Sequence, residues 1–230
     1  MIFKKKILAI VPARGGSKGL KLKNLRKIKN KTLVAITGNF IKKCEFIDHA
    51  VISTDNEKIA NEGIKNGLHL IKRPKNISGD KIPDVKVLLH VYKSLIKKKK
   101  FFDVIVMLHP TSPLRKKDDL KKFIKFLLLK KFDSVWTISP TDTKYHPDKQ
   151  LLLNKGKIKF FTEKGKSIVA RQQLSKVYHR NSNVYAIDSK FLIKKKSLIS
   201  NKTGGYIINS KQISIDTEED IKIAEKNFIS

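Results

Sequence analysis

Apolar and polar positions follow two patterns along this chain. Ile7 to Val11, Ala50 to Ser53, Leu68 to Ile71, Val104 to Leu108 and Ser134 to Ile138 are short, nearly continuous apolar runs. Such runs belong to strands covered on both faces. Between them apolar residues recur at helical spacing: Leu33, Ile36, Phe40, Ile41 and Cys44, then Val85, Leu88, Leu89, Tyr92 and Leu95, then Leu120, Phe123, Ile124, Leu127 and Leu128. Each set marks one buried face of a helix. The alternation predicts an α/β fold of three layers, a mostly parallel sheet with helices on both faces.

The regularity lapses near residue 140. Pro140, His146-Pro147, Asn154-Lys155-Gly156 and Lys164-Gly165 punctuate short alternating runs such as Lys157 to Phe161. This predicts an inserted β hairpin arm over about residues 140–180. Strand-like Val184 to Ile187 and Tyr206 to Ile208 return to the sheet. Asp216-Thr217-Glu218-Glu219 then opens a last helix, with acidic residues at its positive end. Neither a repeat nor a linker interrupts the 230 residues, which read as one domain, 1–230.

Charge changes the picture less than its size suggests. The formal net charge is +31, yet of 51 basic residues only six are arginines: Arg14, Arg26, Arg73, Arg115, Arg171 and Arg180. The lysines are spread through nearly every segment, as on a solvated surface. Polyanion readers concentrate charge on one face and favour the arginine fork. No specific nucleic-acid partner is therefore expected, although polyanions would be attracted at low salt. The single cysteine, Cys44, excludes an intrachain disulfide and a cysteine zinc cluster. The apolar stretch near the amino terminus is too short to span a membrane and runs straight into a motif, so a cytoplasmic protein with no membrane partner is expected.

Polar motifs follow three of the strands: PARGGSKG at 12–19, STDN at 53–56 and HPTSPLR at 109–115. All three loops would leave the carboxyl ends of strands, the edge where open α/β sheets bind ligands. Gly15, Gly16 and Gly19 do not make GxGxxG, and no GxxxxGK[ST] spacing occurs, which disfavours a Rossmann dinucleotide site and a P-loop. The first loop still has the chemistry of an anion cradle. Its glycines allow close backbone approach, Arg14 offers a forked donor, and Lys18, Lys21 and Lys23 offer point charges.

PARGGSKGLKLKNL, STDN, HPTSPLR, ARQQLSKVYHRNSNVY and SIDTEEDI, in this order, resemble the acylneuraminate cytidylyltransferases, the CMP-sialic acid synthetases and their bacterial nonulosonic acid relatives, over nearly the whole chain. The resemblance implies a nucleotide-diphospho-sugar transferase-like fold. It also implies transfer of CMP from CTP to the anomeric hydroxyl of a nonulosonic acid, with Mg²⁺ as cofactor. By match to the family motifs, Arg14, Gly15, Gly16, Ser17, Lys23 and Asn24 would bind the nucleotide. Arg14, Lys23 and Asp216 would be the catalytic set. His109, Thr111, Ser112, Asn181 and Tyr185 would contact the sugar. Lys149 and Arg171, carried by the arm, would complete the site of the neighbouring copy in a homodimer.

The chain departs from the family in places. His109 replaces the usual glutamine, and Ser214 replaces the first of two aspartates, leaving Asp216 as the metal ligand and Asp220 as a substitute only if the backbone turns it inward. Arg115 would either line the sugar pocket or clamp its loop, and Asp55 and Asp216 are alternatively helix caps. Two other readings stay open: a nucleotidyltransferase acting on an eight-carbon sugar acid or a sugar 1-phosphate, and a non-catalytic polyanion-binding protein.

Overall fold

In the computed structural model, which describes residues 2–17, 19–208 and 212–228, the first strand, β1 (Ile7–Pro12), is enclosed on both faces. Ile7, Ala9 and Val11 enter one hydrophobic cluster and Leu8 and Ile10 another. The first cluster joins α1 (Leu33–Lys42), α2 (Glu57–Lys65) and α4 (Lys117–Leu129) through Val34, Ile41, Ile59, Phe123 and Leu127. The second joins α3 (Asp84–Lys97) and α5 (Ser189–Lys195) through Leu88, Val91, Tyr92 and Leu192. Strand period two thus sorts side chains into two helical layers. Burying each large aliphatic or aromatic side chain contributes roughly 1.5–3 kcal/mol.

The other strands of the main sheet are β4 (His49–Thr54), β5 (His69–Lys72), β6 (Val104–Met107), β7 (Ser134–Pro140), β10 (Tyr178–Asp188) and β11 (Thr203–Ile207). Their order is β11-β7-β10-β6-β1-β4-β5. β1 lies parallel to β4 and β6, with Ala9 opposite Ala50 and Ile7 opposite Val104, whereas β10 runs antiparallel to both its neighbours. The sheet is therefore mostly parallel, as the alternation predicts. Two strands sit differently from the apolar runs. β5 is an edge strand shifted to His69–Lys72, and β11 begins at Thr203, where a Cβ on Gly204 would come within 2.6 Å of the Phe132 ring.

A short pair, β2 (Lys27–Ile28) and β3 (Lys31–Thr32), links the first loop to α1, and α6 (Glu218–Asn227) closes the chain. Leu20, Ile28, Leu33, Ile36, Ile215, Ile221 and Ala224 form one cluster, which seats the first loop against the segment before α6.

Between β7 and β10 lies the arm, with the hairpin β8 (Leu151–Asn154) and β9 (Lys157–Phe160). Lys155 and Gly156 both have positive φ, the backbone of a tight two-residue hairpin turn. Every residue of both strands is exposed, among them Leu151, Leu153 and Ile158. Among the described residues no helix is long and apolar enough to cross a membrane.

At the opposite ends of the strands from the three motif loops, His49 opens β4 and stacks on His69 (centroids 4.4 Å apart) and Phe102 (5.7 Å). Burial, assisted by the charges of His69 and Lys100, pushes its pKa down to about 4. The unfolded chain, with an ordinary value near 6.5, takes up the proton first. Stability is therefore expected to be lost as pH falls from about 6.5 towards 4. Because the ring is partly solvated, the loss attributable to His49 is about 1 kcal/mol rather than the full shift. Urea midpoints at pH 7 and pH 4.5 measure it, and His49→Phe should reduce the difference between them.

Candidate active site

The loops after β1, β5 and β6, the start of α3 and the segment before α6 enclose a cavity of about 660 Å³, and no residue of the STDN loop after β4 lines it. Arg14, Ser17, Lys23, Asn24, His109, Thr111 and Asp216 all line it, so seven residues singled out in the sequence meet at one place. Gly15, Gly16, Ser112, Asn181, Tyr185, Lys149 and Arg171 are not among its lining residues. Arg73, Asp80 and Asp84 are, and none of them was expected there.

Local folding puts the cations in place. Leu22 adopts a left-handed conformation and starts a 3₁₀ turn at Lys23–Leu25. Buried Asn24 donates from Nδ2 to the Arg14 carbonyl oxygen at 2.9 Å, locking the two ends of the loop together. Arg14 pairs with Asp80 at 2.7 Å and Lys23 with Asp216 at 2.7 Å. The backbone N–H of Ile215 donates to the Thr111 carbonyl at 2.8 Å, tying the segment that carries Asp216 to the HPTSPLR loop.

Two of the glycines pack the loop against its neighbours. Gly15 gives its N–H to Asp55 Oδ1 at 2.8 Å, and a Cβ there would meet Asn56 Cβ at 2.8 Å. A Cβ on Gly19 would lie 3.0 Å from the Asp216 carbonyl oxygen. Both positions let the loop press against its neighbours, while Gly16 is exposed and Lys21 lies outside the cavity lining. Lys18 lies outside the described residues. Asp55 is not a helix cap: Asn56 caps α2 by accepting from the Ile59 N–H. Nor is Asp216, because Thr217 caps α6 and Asp220 completes the capping box.

Arg73 follows β5 and is buried. Its Nη2 donates to the Ser53 carbonyl at 2.7 Å and its Nε to Ser53 Oγ at 3.2 Å. Burial lowers its pKa, and Asp55 and Asp84 oppose that effect. Composition held one signal for it. In a chain that uses lysine almost everywhere, an arginine is a candidate for a position that needs a planar, multiply donating cation.

The sugar-side residues divide. His109, directly after Leu108 at the end of β6, lies with Nε2 3.7 Å from Asp84 Oδ2 and its ring edge-on to Tyr185. Burial holds its pKa below the usual imidazole value; Asp84 works against this, while Arg115, Arg73 and Lys23 add to it. Arg115 is a clamp: Nε donates to the Asn183 carbonyl at 2.9 Å and Nη2 to the His109 carbonyl. Ser112 Oγ donates to the Ser182 carbonyl at 3.1 Å. Asn181 accepts from Thr137 Oγ1 at 2.6 Å and donates to Ser139 Oγ at 3.0 Å. Ser112, Arg115 and Asn181 thus hold a bulge of β10 around Ser182, whose φ is +52°. Tyr185 is buried against His109 and Trp136. Lys149 and Arg171 are exposed on the arm.

For a divalent cation the donor set is small. Asp216 is exposed, with Ser214 Oγ 3.5 Å from its Oδ2, and no group of three His, Cys, Asp or Glu side chains forms a metal site among the described residues. Asp220 is committed: its Oδ2 accepts from the backbone N–H of Asp216 at 2.9 Å and of Thr217 at 2.8 Å. These bonds hold its pKa down against the opposing effect of burial, so it is not an inward-turned substitute ligand. One carboxylate fits a hard cation whose remaining ligands are phosphate oxygens and water.

Comparison with known proteins follows this geometry. The family model described as cytidylyltransferase matches residues 8–226. Post-translational flagellin modification protein B of Campylobacter coli is 30% identical over 226 residues, 95% of this chain and 93% of that one. The CMP-N,N'-diacetyllegionaminic acid synthase of Legionella pneumophila is 29% identical over 227 residues, 96% of this chain and 95% of that one. A solved structure of CMP:2-keto-3-deoxy-manno-octonic acid synthetase complexed with CTP superposes with a TM-score of 0.71 at 12% identity, covering 96% of this chain and 98% of that one. The last is a likeness of fold.

Proposed function

The chain belongs to the cytidylyltransferase family, and on that premise we propose that it transfers CMP from CTP to the anomeric hydroxyl of a nonulosonic acid and releases pyrophosphate. The observation that carries this reading is the convergence of Arg14 and Lys23, each already paired with a carboxylate, on one cavity at the carboxyl ends of the strands. A triphosphate brings several negative charges to that place, and the departing pyrophosphate gathers more. Cations fixed before the reaction stabilise such charge where it develops. The Legionella relative is named for a CMP-linked sugar acid, which supports the same product class here.

In this reaction the sugar oxygen attacks the α-phosphorus and the bond to the β-phosphate oxygen breaks, with no covalent enzyme intermediate. Arg14 and Lys23 leave Asp80 and Asp216 for the phosphates, with Ser17 and Asn24 beside them. Asp216, with Ser214 near it, would hold Mg²⁺, which offsets charge on the phosphates when bound. His109 and Thr111 face the sugar acid, while Ser112, Asn181 and Tyr185 shape that end of the site from behind. Lys149 and Arg171 reach the site of a second copy in a homodimer; support for this comes from the exposed apolar surface of the arm, Leu153, Ile158, Phe161 and Val169.

Pyrophosphate release with each of four nucleoside triphosphates, Mg²⁺ and a panel of nonulosonic acids tests the reading. Release is expected with CTP alone and only when the sugar acid is present; release with sugar 1-phosphates instead would overturn it. Asp216→Asn is expected to raise the half-saturating Mg²⁺ concentration by at least the roughly 10-fold that losing even an outer partner of a metal site costs. An unchanged Mg²⁺ titration would remove Asp216 from the metal.

A further inference from the structure

The attacking hydroxyl must lose a proton as its bond to phosphorus forms. Two of the cavity's carboxylates face cations: Asp80 is 2.7 Å from Arg14 and Asp216 is 2.7 Å from Lys23. The third, Asp84, faces an imidazole. Its Oδ2 lies 3.7 Å from His109 Nε2, and both residues line the cavity. No other imidazole does so among the described residues.

We propose that His109 is the general base of the transfer, and that Asp84 is the positioning residue that orients its ring and stabilises the imidazolium. This inference rests on the function proposed above. The base takes the proton of the anomeric hydroxyl. The oxygen's electron pair forms the new bond to the α-phosphorus, the bond to the β-phosphate oxygen breaks with its electron pair leaving on pyrophosphate, and the imidazolium returns its proton to water.

Several features of the fold support the assignment. Asp84 is the carboxylate nearest the ring, 3.7 Å from Nε2, and neither imidazole nitrogen is engaged in a hydrogen bond among the described residues. The backbone beneath the ring is fixed, because the His109 carbonyl accepts from the Ser112 N–H at 3.1 Å and from Arg115 Nη2. The ring itself is set edge-on to Tyr185, with centroids 6.2 Å apart. Asp84 is the first residue of α3, so its own backbone is held by a helix.

The charged groups around the ring come from four elements: Asp84 from α3, Arg115 from the loop after β6, Arg73 from the end of β5 and Lys23 from the loop after β1. Their balance, together with burial, keeps the ring neutral at neutral pH, the state that accepts a proton. The carboxylate opposite then favours the charge produced by that transfer. A carboxylate facing an imidazole that faces a reacting hydroxyl is a recurring general-base arrangement.

Rate against pH, measured as pyrophosphate release from CTP with a nonulosonic acid, tests the proposal. The wild-type kcat is expected to fall with unit slope on the acid side, with an apparent pKa below about 6.5. His109→Gln keeps an amide that can hydrogen-bond the sugar but cannot carry the proton. It should lower kcat about 10²-fold, leave the KM for CTP within about two-fold and abolish the acid limb. Asp84→Asn removes the interaction that raises the ring's pKa, so its acid limb should move to lower pH while kcat falls about 10-fold.

A His109→Gln enzyme with wild-type kcat and an unchanged acid limb would overturn the base assignment and leave the proposed function standing. A wild-type enzyme that releases no pyrophosphate from CTP with any nonulosonic acid would overturn both. If His109→Gln no longer binds CTP in calorimetry, Asp84→Asn decides, and an acid limb that does not move rejects the pair.

Discussion

Arg14→Ala is expected to lower kcat/KM for CTP by about 10³-fold, the upper range for removing one preorganised donor from a charge-developing site. Arg14 is placed by the chain around it: its carbonyl is held by Asn24 at 2.9 Å, and its guanidinium reaches the cavity, where Asp80 meets it at 2.7 Å. The carboxylate marks where the guanidinium meets an anion's oxygen. Arg14→Lys keeps the charge but loses the fork, and should recover only part of the loss. Folding should hardly notice either change, because a partly exposed ion pair contributes about 0–1 kcal/mol. Steady-state pyrophosphate release over a range of CTP, beside urea midpoints, separates the two effects. A loss below about five-fold would remove Arg14 from the phosphates.

The parts of this fold legible in the sequence are those where burial dictates residue type. β1 and β6 are enclosed on both faces and read as unbroken apolar runs. β10 was legible only at its buried end, Val184 to Ile187; its first three residues, Tyr178 to Arg180, are exposed and polar. It belongs to the sheet because it pairs with β7, which no local pattern announces. β11 was half hidden for a different reason: Gly204 and Gly205 have no side chains to signal a strand, and close contact with Phe132 and Ile138 is what requires them.

The site divides along similar lines. Arg14, Lys23, His109 and Asp216 sit in motifs that a resemblance can carry. Asp84 does not, being one carboxylate in a polar stretch whose meaning depends on the imidazole that α3 brings it to. The arginines are the better guide in retrospect. Arg14 and Arg73 line the cavity, Arg115 clamps two loops, and Arg180 lies over the Trp136 ring at 5.6 Å. At these four positions a planar, multiply donating cation is used, whereas Arg26 only meets exposed Glu218 and Arg171 is exposed on the arm.

Arg115→Met is expected to destabilise the fold by about 4 kcal/mol. The guanidinium joins two turns, donating to the carbonyl of His109 after β6 and to that of Asn183 in the bulge of β10, beside the single bond from Ser112 Oγ to the Ser182 carbonyl. Burial pushes its pKa down to about 9, still above neutrality, so the group is charged at pH 7 and its bonds are charge-assisted. Methionine fills much of the volume and donates nothing. Two such bonds are lost, at about 1.5–3 kcal/mol each, and the carbonyls left in protein surroundings regain only part of that from water. Arg115→Lys should be little better, because one ammonium cannot span both acceptors in the geometry of a fork.

For a chain of this size about 4 kcal/mol lowers Tm by roughly 8–16 °C. Calorimetry measures it directly, and a fall worth less than about 1 kcal/mol would contradict the clamp. The same variant should lose activity through kcat at temperatures where it remains folded, since the carbonyl it releases belongs to His109. Arg14→Ala and Arg115→Met are thus expected to fail in opposite ways. The first loses turnover with the fold intact; the second loosens the fold and takes the geometry of His109 with it.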